Sequence, residues 1–104
     1  MTGYDFHPEA RVDLDETIWN FIRVDNLDAA DRVITEILSA IRALGPLPNQ
    51  GRKRPDLTSR PLRFILVREY LIAYAPEAKP LWVVAVMHGR RSPRVMAAIL
   101  RGRE

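Results

Sequence analysis

Residues 62–88 read LRFILVREYLIAYAPEAKPLWVVAVMH, and this stretch decides the fold. Leu62 to Val67 is an apolar run of strand length and composition. Arg68-Glu69 then forms a two-residue turn, without the glycine or asparagine usually preferred there. Tyr70 to Ala75 is a second strand. Pro76 and Pro80 bracket a turn and block strand continuation on both sides. Leu81 to His88 is a third strand, and its unbroken hydrophobicity predicts a central position with both faces covered. Strands joined by such short turns are antiparallel neighbours.

A sheet with apolar faces needs a cover, and the residues before it supply one. Tyr4 to His7 alternates and reads as an opening strand. Pro8 suits the first position of a helix and Glu9 its first turn. Ala10, Leu14, Ile18, Phe21 and Ile22 continue as one apolar stripe, which should end near residues 24–26. A second helix starts with Asp28 as the expected N-cap. Its stripe is Ala30, Val33, Ile34, Ile37, Ile41 and Leu44, and Asp28, Arg32 and Glu36 are spaced as four-apart pairs. Gly45-Pro46 stops it, the glycine being expected to take a left-handed cap. The short connection predicts an antiparallel helix hairpin over residues 8–44. After His88, Ser92-Pro93 is an N-cap and first-turn proline for a short helix carrying Val95, Met96, Ile99 and Leu100.

The order is strand, helix, helix, three strands, helix. It predicts an α+β, two-layer domain, an antiparallel sheet packed against an N-terminal helix hairpin, with residues 1–104 as one domain. Ile18, Phe21, Ile34, Ile37 and Ile41 are the expected helix core, facing Phe64, Ile72 and Val84 on the sheet. The 104 residues suit a single core. With 47% hydrophobic and 28% charged side chains the chain is not a disordered polymer. No run approaches the ~18 apolar residues of a membrane span, and Met1 to Asp5 lacks the pattern of a signal peptide. The absence of cysteine excludes disulfides, zinc–thiolate sites and cysteine nucleophiles, and suits a reducing cytoplasm.

No nucleotide-binding glycine motif occurs. His7 and His88 stand far apart with no ligand-spaced partners, so neither a metal nor a cofactor is expected. Asp13, Asp15 and Glu16 read as a solvated helix face. The charge, however, is divided. Residues 1–51 carry nine acidic and four basic side chains, residues 52–104 four acidic and twelve basic. The second half therefore predicts a surface that attracts polyanions. Val84, Val86 and His88 are expected on one face of the third strand, and Gly89-Arg90-Arg91 follows at its rim. Arg63 and Arg68 are candidates to join it. Guanidinium forks bind phosphates and carboxylates. His88 is either a proton-exchanging group or a ring that caps the strand end.

At this point the chain resembles a known family. The opening Tyr-Asp-Phe-His-Pro-Glu-Ala, the helix pair ending in Leu44-Gly45-Pro46, Arg63-Phe64, the Tyr70-Leu71-Ile72-Ala73-Tyr74 strand and His88-Gly89-Arg90-Arg91 are similar to the RelE/ParE toxins of bacterial type II toxin–antitoxin systems. Order and spacing carry the likeness, over roughly residues 4–100. Ser92 stands where members often have aspartate. The resemblance implies a cytoplasmic toxin neutralised by direct binding of an antitoxin, which itself makes the main DNA contact, as in plasmid stabilisation modules. ParE-like members inhibit DNA gyrase. RelE-like members cleave mRNA on the ribosome, usually with a C-terminal tyrosine. No Tyr, Phe or Trp follows Trp82 here, and the long helix hairpin is similar to ParE. The expected target-binding residues are then Arg63, Arg68, His88, Arg90 and Arg91, with no catalytic residues. In the RelE-like alternative, His88, Arg63, Arg90 and Arg91 would carry catalysis. A non-toxic binding module of the same fold is the third possibility. Trp19, Ile22, Arg52, Lys53 and Arg54 are the expected contacts of a ParD-like antitoxin.

Overall fold

The computed structural model describes residues 3–19 and 26–103, without the side chains of residues 17–19. The described elements are β1 (Tyr4–Phe6), α1 (Pro8–Val12), a π-helical continuation (Asp13–Trp19), α2 (Leu27–Ala43), a 3₁₀ turn (Pro48–Gln50), β2 (Arg63–Val67), β3 (Tyr70–Ala75), β4 (Leu81–His88) and α3 (Pro93–Arg101). The side chain of Ile18 and the whole of Phe21, both expected in the core, lie outside what is described.

Local chemistry explains most boundaries. Pro8 opens α1, with the His7 ring accepting the Glu9 N–H as cap. Ser92 caps α3 through the Val95 N–H, with Pro93 in the first turn. The cap of α2 differs from the expectation. Asn26, not Asp28, takes the extended conformation and accepts from the Ala29 N–H. The four-apart pairs also differ. Arg32 Nε donates to the Asp28 carbonyl oxygen, and Glu36 pairs with Arg68 across the molecule. No described glycine has a positive φ, so Gly45 is not a left-handed cap. The chain leaves α2 through tight turns, Leu44 N–H to the Ile41 carbonyl and Gly45 N–H to the Arg42 carbonyl. Among the described residues the left-handed one is Arg68, with φ 55° in the two-residue turn between β2 and β3.

The sheet order is β1-β4-β3-β2. β2, β3 and β4 form the expected antiparallel meander, with Arg63 opposite Tyr74, Val67 opposite Tyr70, and Tyr70 opposite His88. β1 adds to the far side of β4 in parallel, Tyr4 opposite Leu81 and Phe6 opposite Val83, so the whole sheet is mixed.

Helices cover one face. Ala10, Leu14, Val33, Ile37, Ile41 and Leu44 pack on Phe6, Tyr70, Ile72, Tyr74, Val83 and Val86, with Ile34 half-buried at the margin. The second face is not left to water. Met96 and Leu100 of α3, with Leu57 and Leu62 of the preceding loop, pack on Phe64, Leu71, Ala73, Val84, Ala85 and Met87. Phe64 and Val84 therefore face α3, not the hairpin. The cause at Val84 is a bulge. Ala73 pairs with Ala85 while Tyr74 pairs with Val83, so Val84 is an extra residue in β4. An extra residue inverts the alternation beyond it, and Val84 and Val86 end on opposite faces.

Candidate functional site: a basic groove at the sheet edge

β2 is an edge strand, and half of that edge is closed. Arg52 exchanges backbone hydrogen bonds with Phe64, N–H to carbonyl at 2.9 Å and back at 2.8 Å. Leu66, two residues on, turns its N–H and carbonyl to the same side by the period of the strand. A groove of about 940 Å³ opens there. Phe64 to Val67 and Leu71 form its floor, Ala40 and Ala43 of α2 with the following Leu44 one wall, and Pro93 and Met96 of α3 the other. Arg52, Arg54 and Arg91 line it. Leu66 is 66% exposed within it, an unusual position for a large apolar side chain beside three guanidinium groups.

The candidate residues separate into three places. Arg91 lines the groove and Arg90 stands beside it, 84% exposed, with Glu69 Oε1 3.9 Å from its guanidinium. His88 accepts the Arg90 N–H on Nδ1 at 3.1 Å, and its Nε2 lies 3.4 Å from Glu69 Oε2. The ring also packs edge-on against Tyr70 at 5.4 Å. The hydrogen bond on Nδ1 is the strand-capping arrangement, and Nε2 faces the Glu69 carboxylate. Arg68 stands at the same end of the sheet, in the β2–β3 turn beside Glu69, with its half-exposed guanidinium paired to Glu36 on α2. Arg63 is not there. It begins β2, roughly 13 Å along the strand from Val67, and donates from Nη1 to the Gly51 carbonyl at 2.8 Å.

The basic loop segment lies against the groove. Arg52 and Lys53 are exposed. Arg54 forms a two-pronged pair with Asp56 at 2.9 and 2.8 Å. That hydrogen bonding raises the Arg54 pKa and holds the Asp56 carboxyl below its ordinary value. The Trp19 side chain and Ile22 lie outside the described residues.

Two features had no warning in the sequence. Asp13 is not part of a solvated face. It accepts the Val86 N–H at 3.0 Å and pairs with Arg103, whose Nη2 lies 2.9 Å from Oδ1. Arg103 Nη1 also donates to the Val84 carbonyl at 3.2 Å. Beyond the reach of β1, two side chains thus occupy the edge of β4 beside the bulge. The hydrogen-bonded carboxylate raises the Arg103 pKa against the opposing effect of burial. The second is Tyr74, fully buried, whose hydroxyl donates to the Pro48 carbonyl at 2.7 Å and accepts the Gly51 N–H at 2.9 Å.

Among the described residues no cluster of three or more potential metal ligands occurs, and no helix is long and apolar enough to cross a membrane. Fold and groove together define a class: a small α+β domain of RelE/ParE-like architecture with a cationic, apolar-floored groove. Residues 4–93 match the family model described as the ParE toxin of the type II toxin-antitoxin system, parDE. The chain belongs to that family, and so is a type II toxin that pairs with an antitoxin. Comparison with curated proteins gives no match.

Proposed function

We propose that this toxin inhibits DNA gyrase in the cytoplasm and is silenced by a ParD-like antitoxin, an extended, acidic and apolar segment of which lies in the groove. The carrying observation is the groove itself: an apolar floor along an open strand edge, flanked by Arg52, Arg54 and Arg91. An extended segment gains backbone hydrogen bonds at such an edge, and alternate side chains gain the floor and the cations. Its ordering on binding is offset by the apolar surface it buries. Arg90, and the exposed face of α3 beyond it, are the proposed contacts with gyrase. His88 supports that surface by fixing the 88–91 turn. Arg63 serves a position inside the chain, and Arg68 carries a surface ion pair with Glu36.

The competing reading is a ribosome-dependent mRNA endonuclease. It is favoured by the gathering of Arg52, Arg54 and Arg91 round one concavity, since clustered guanidinium groups also suit a phosphodiester. His88 Nδ1 is taken by the Arg90 N–H, which leaves Nε2, beside Glu69, as the ring atom open to proton exchange. Purified toxin, free of antitoxin, should be assayed in parallel for gyrase supercoiling and for translation-coupled mRNA cleavage. Lost supercoiling with intact message supports the proposal. Cleaved message with normal supercoiling overturns it, and no effect on either leaves a non-toxic binding module. In the same preparation Arg52→Glu with Arg91→Glu should weaken antitoxin binding at least tenfold with an unchanged fold, because exposed charges contribute little to stability.

A further inference from the structure

The Tyr74 hydroxyl is the only polar atom on a side chain that otherwise belongs to the helix-facing core. A phenylalanine would fill the same volume. What the hydroxyl adds is a double contact with the loop between α2 and β2: it holds the Pro48 carbonyl and the Gly51 N–H at once. Burial pushes the phenol pKa up, with the Gly51 hydrogen bond and Arg63 opposing, so the group stays a neutral donor and acceptor. Arg63 takes the Gly51 carbonyl from the other side. Contact is so close that a Cβ at residue 51 would lie 2.5 Å from the hydroxyl and 2.9 Å from the Phe64 carbonyl oxygen. Directly after this clamp, Arg52 joins the edge of β2.

We propose that Tyr74 is a positioning residue for partner binding. Its hydroxyl, with Arg63, holds Pro48 to Arg52 against the sheet so that Arg52 and Arg54 stand over the groove before a partner arrives. The inference rests on the groove being the antitoxin seat. A long cationic side chain on a loose loop loses conformational freedom on binding, whereas one on a clamped segment has lost it already. The clamp thus acts on affinity through Arg52, while the phenol itself is closed to any partner.

The test uses the full chain and the antitoxin encoded beside it, with dissociation constants for the wild type, Tyr74→Phe, Arg52→Ala and the double variant, at low and high salt. Tyr74→Phe should weaken binding about fivefold and flatten the salt dependence, and exchange of the Gly51 and Arg52 amides should accelerate. Arg52→Ala should weaken binding by a similar factor. The double variant should be little worse than either single one, since both remove the same interaction. Multiplying effects would overturn the proposal, as would wild-type affinity in Tyr74→Phe. Unchanged affinity in Arg52→Ala, Arg54→Ala and Arg91→Ala alike would overturn the groove reading itself, and the positioning role with it. If Tyr74→Phe fails to fold, Arg63→Met releases the Gly51 carbonyl from the same clamp, and it should show a similar loss. Full affinity in a folded Arg63→Met protein counts against the proposal.

Discussion

Replacing Arg103 by methionine should be one of the most damaging single changes away from the apolar core. Arg103 and Asp13 are only 10% and 15% exposed, so solvent screens their attraction little. The substitution keeps much of the buried stem but removes both hydrogen bonds to the carboxylate and the one to the Val84 carbonyl. Asp13 would keep only the Val86 N–H. Losing one partner of a buried pair costs about 3–5 kcal/mol, because the other charge is left unpaired. A domain of this size has about 5–15 kcal/mol in all, so the melting temperature should fall by an order of 20 °C.

Urea unfolding of the wild type, Arg103→Met, Asp13→Asn and the double variant decides the matter. The amide oxygen introduced by Asp13→Asn can still accept from the Val86 N–H without carrying a charge. The double variant should therefore recover roughly half of what Arg103→Met loses, a strong coupling between the two sites. A loss below about 1 kcal/mol in Arg103→Met, with an unchanged m-value, would place the pair among exposed ion pairs of small worth and refute the reasoning. Strict additivity would refute it as well.

Ile37→Asp should unfold the domain, since Ile37 is fully buried and an unpaired carboxylate there costs several kcal/mol; loss of the cooperative circular-dichroism transition checks it. Asn26→Ala should cost about 1 kcal/mol through the lost cap on Ala29, read as a lower urea midpoint. Tyr70 and Tyr74 both have raised pKa values, first through burial. A raised folded pKa keeps its stabilisation below the unfolded value, about 10, and loses it as pH rises through the folded one. Stability should thus decline above about pH 10, and less steeply in Tyr70→Phe/Tyr74→Phe, by melting at stepped alkaline pH.

The fold was legible where punctuation was strong. Proline and the short turns bound β3 and β4 at the expected residues, and Ser92-Pro93 opens α3 as read. The errors arose where local signals tie. Val83-Val84-Ala85-Val86 is apolar throughout, so no alternation exists to reveal the bulge that sends Val84 to the other face. Asn26 and Asp28 are both competent caps, and the choice depends on where the preceding chain enters. Parallel pairing of β1 with β4 is a contact between distant segments, which no local pattern encodes.

The cations of the candidate site were legible in the sequence, but not which of them point outward, and charge shows why. Counting residues gives the second half an excess of eight positive charges, as if every guanidinium faced outward. Several do not. Arg103 is spent on Asp13, Arg68 on Glu36, Arg54 on Asp56, and Arg63 on a backbone carbonyl. Two of these partners are acids of the first half, so the chain's charge division closes partly on itself. What stays directed outward is narrower: Arg52 and Arg91 at the groove with the Asp56-held Arg54, Lys53 and Arg90 exposed beside them, and Lys79, Arg94 and Arg101 exposed elsewhere. The field of the groove cations attracts over about a Debye length, roughly 8 Å at physiological salt. At the strand edge, where an apolar floor lies beside the cations, it can select an acidic segment with apolar side chains. That is why the groove, rather than the overall basicity, carries the functional reading.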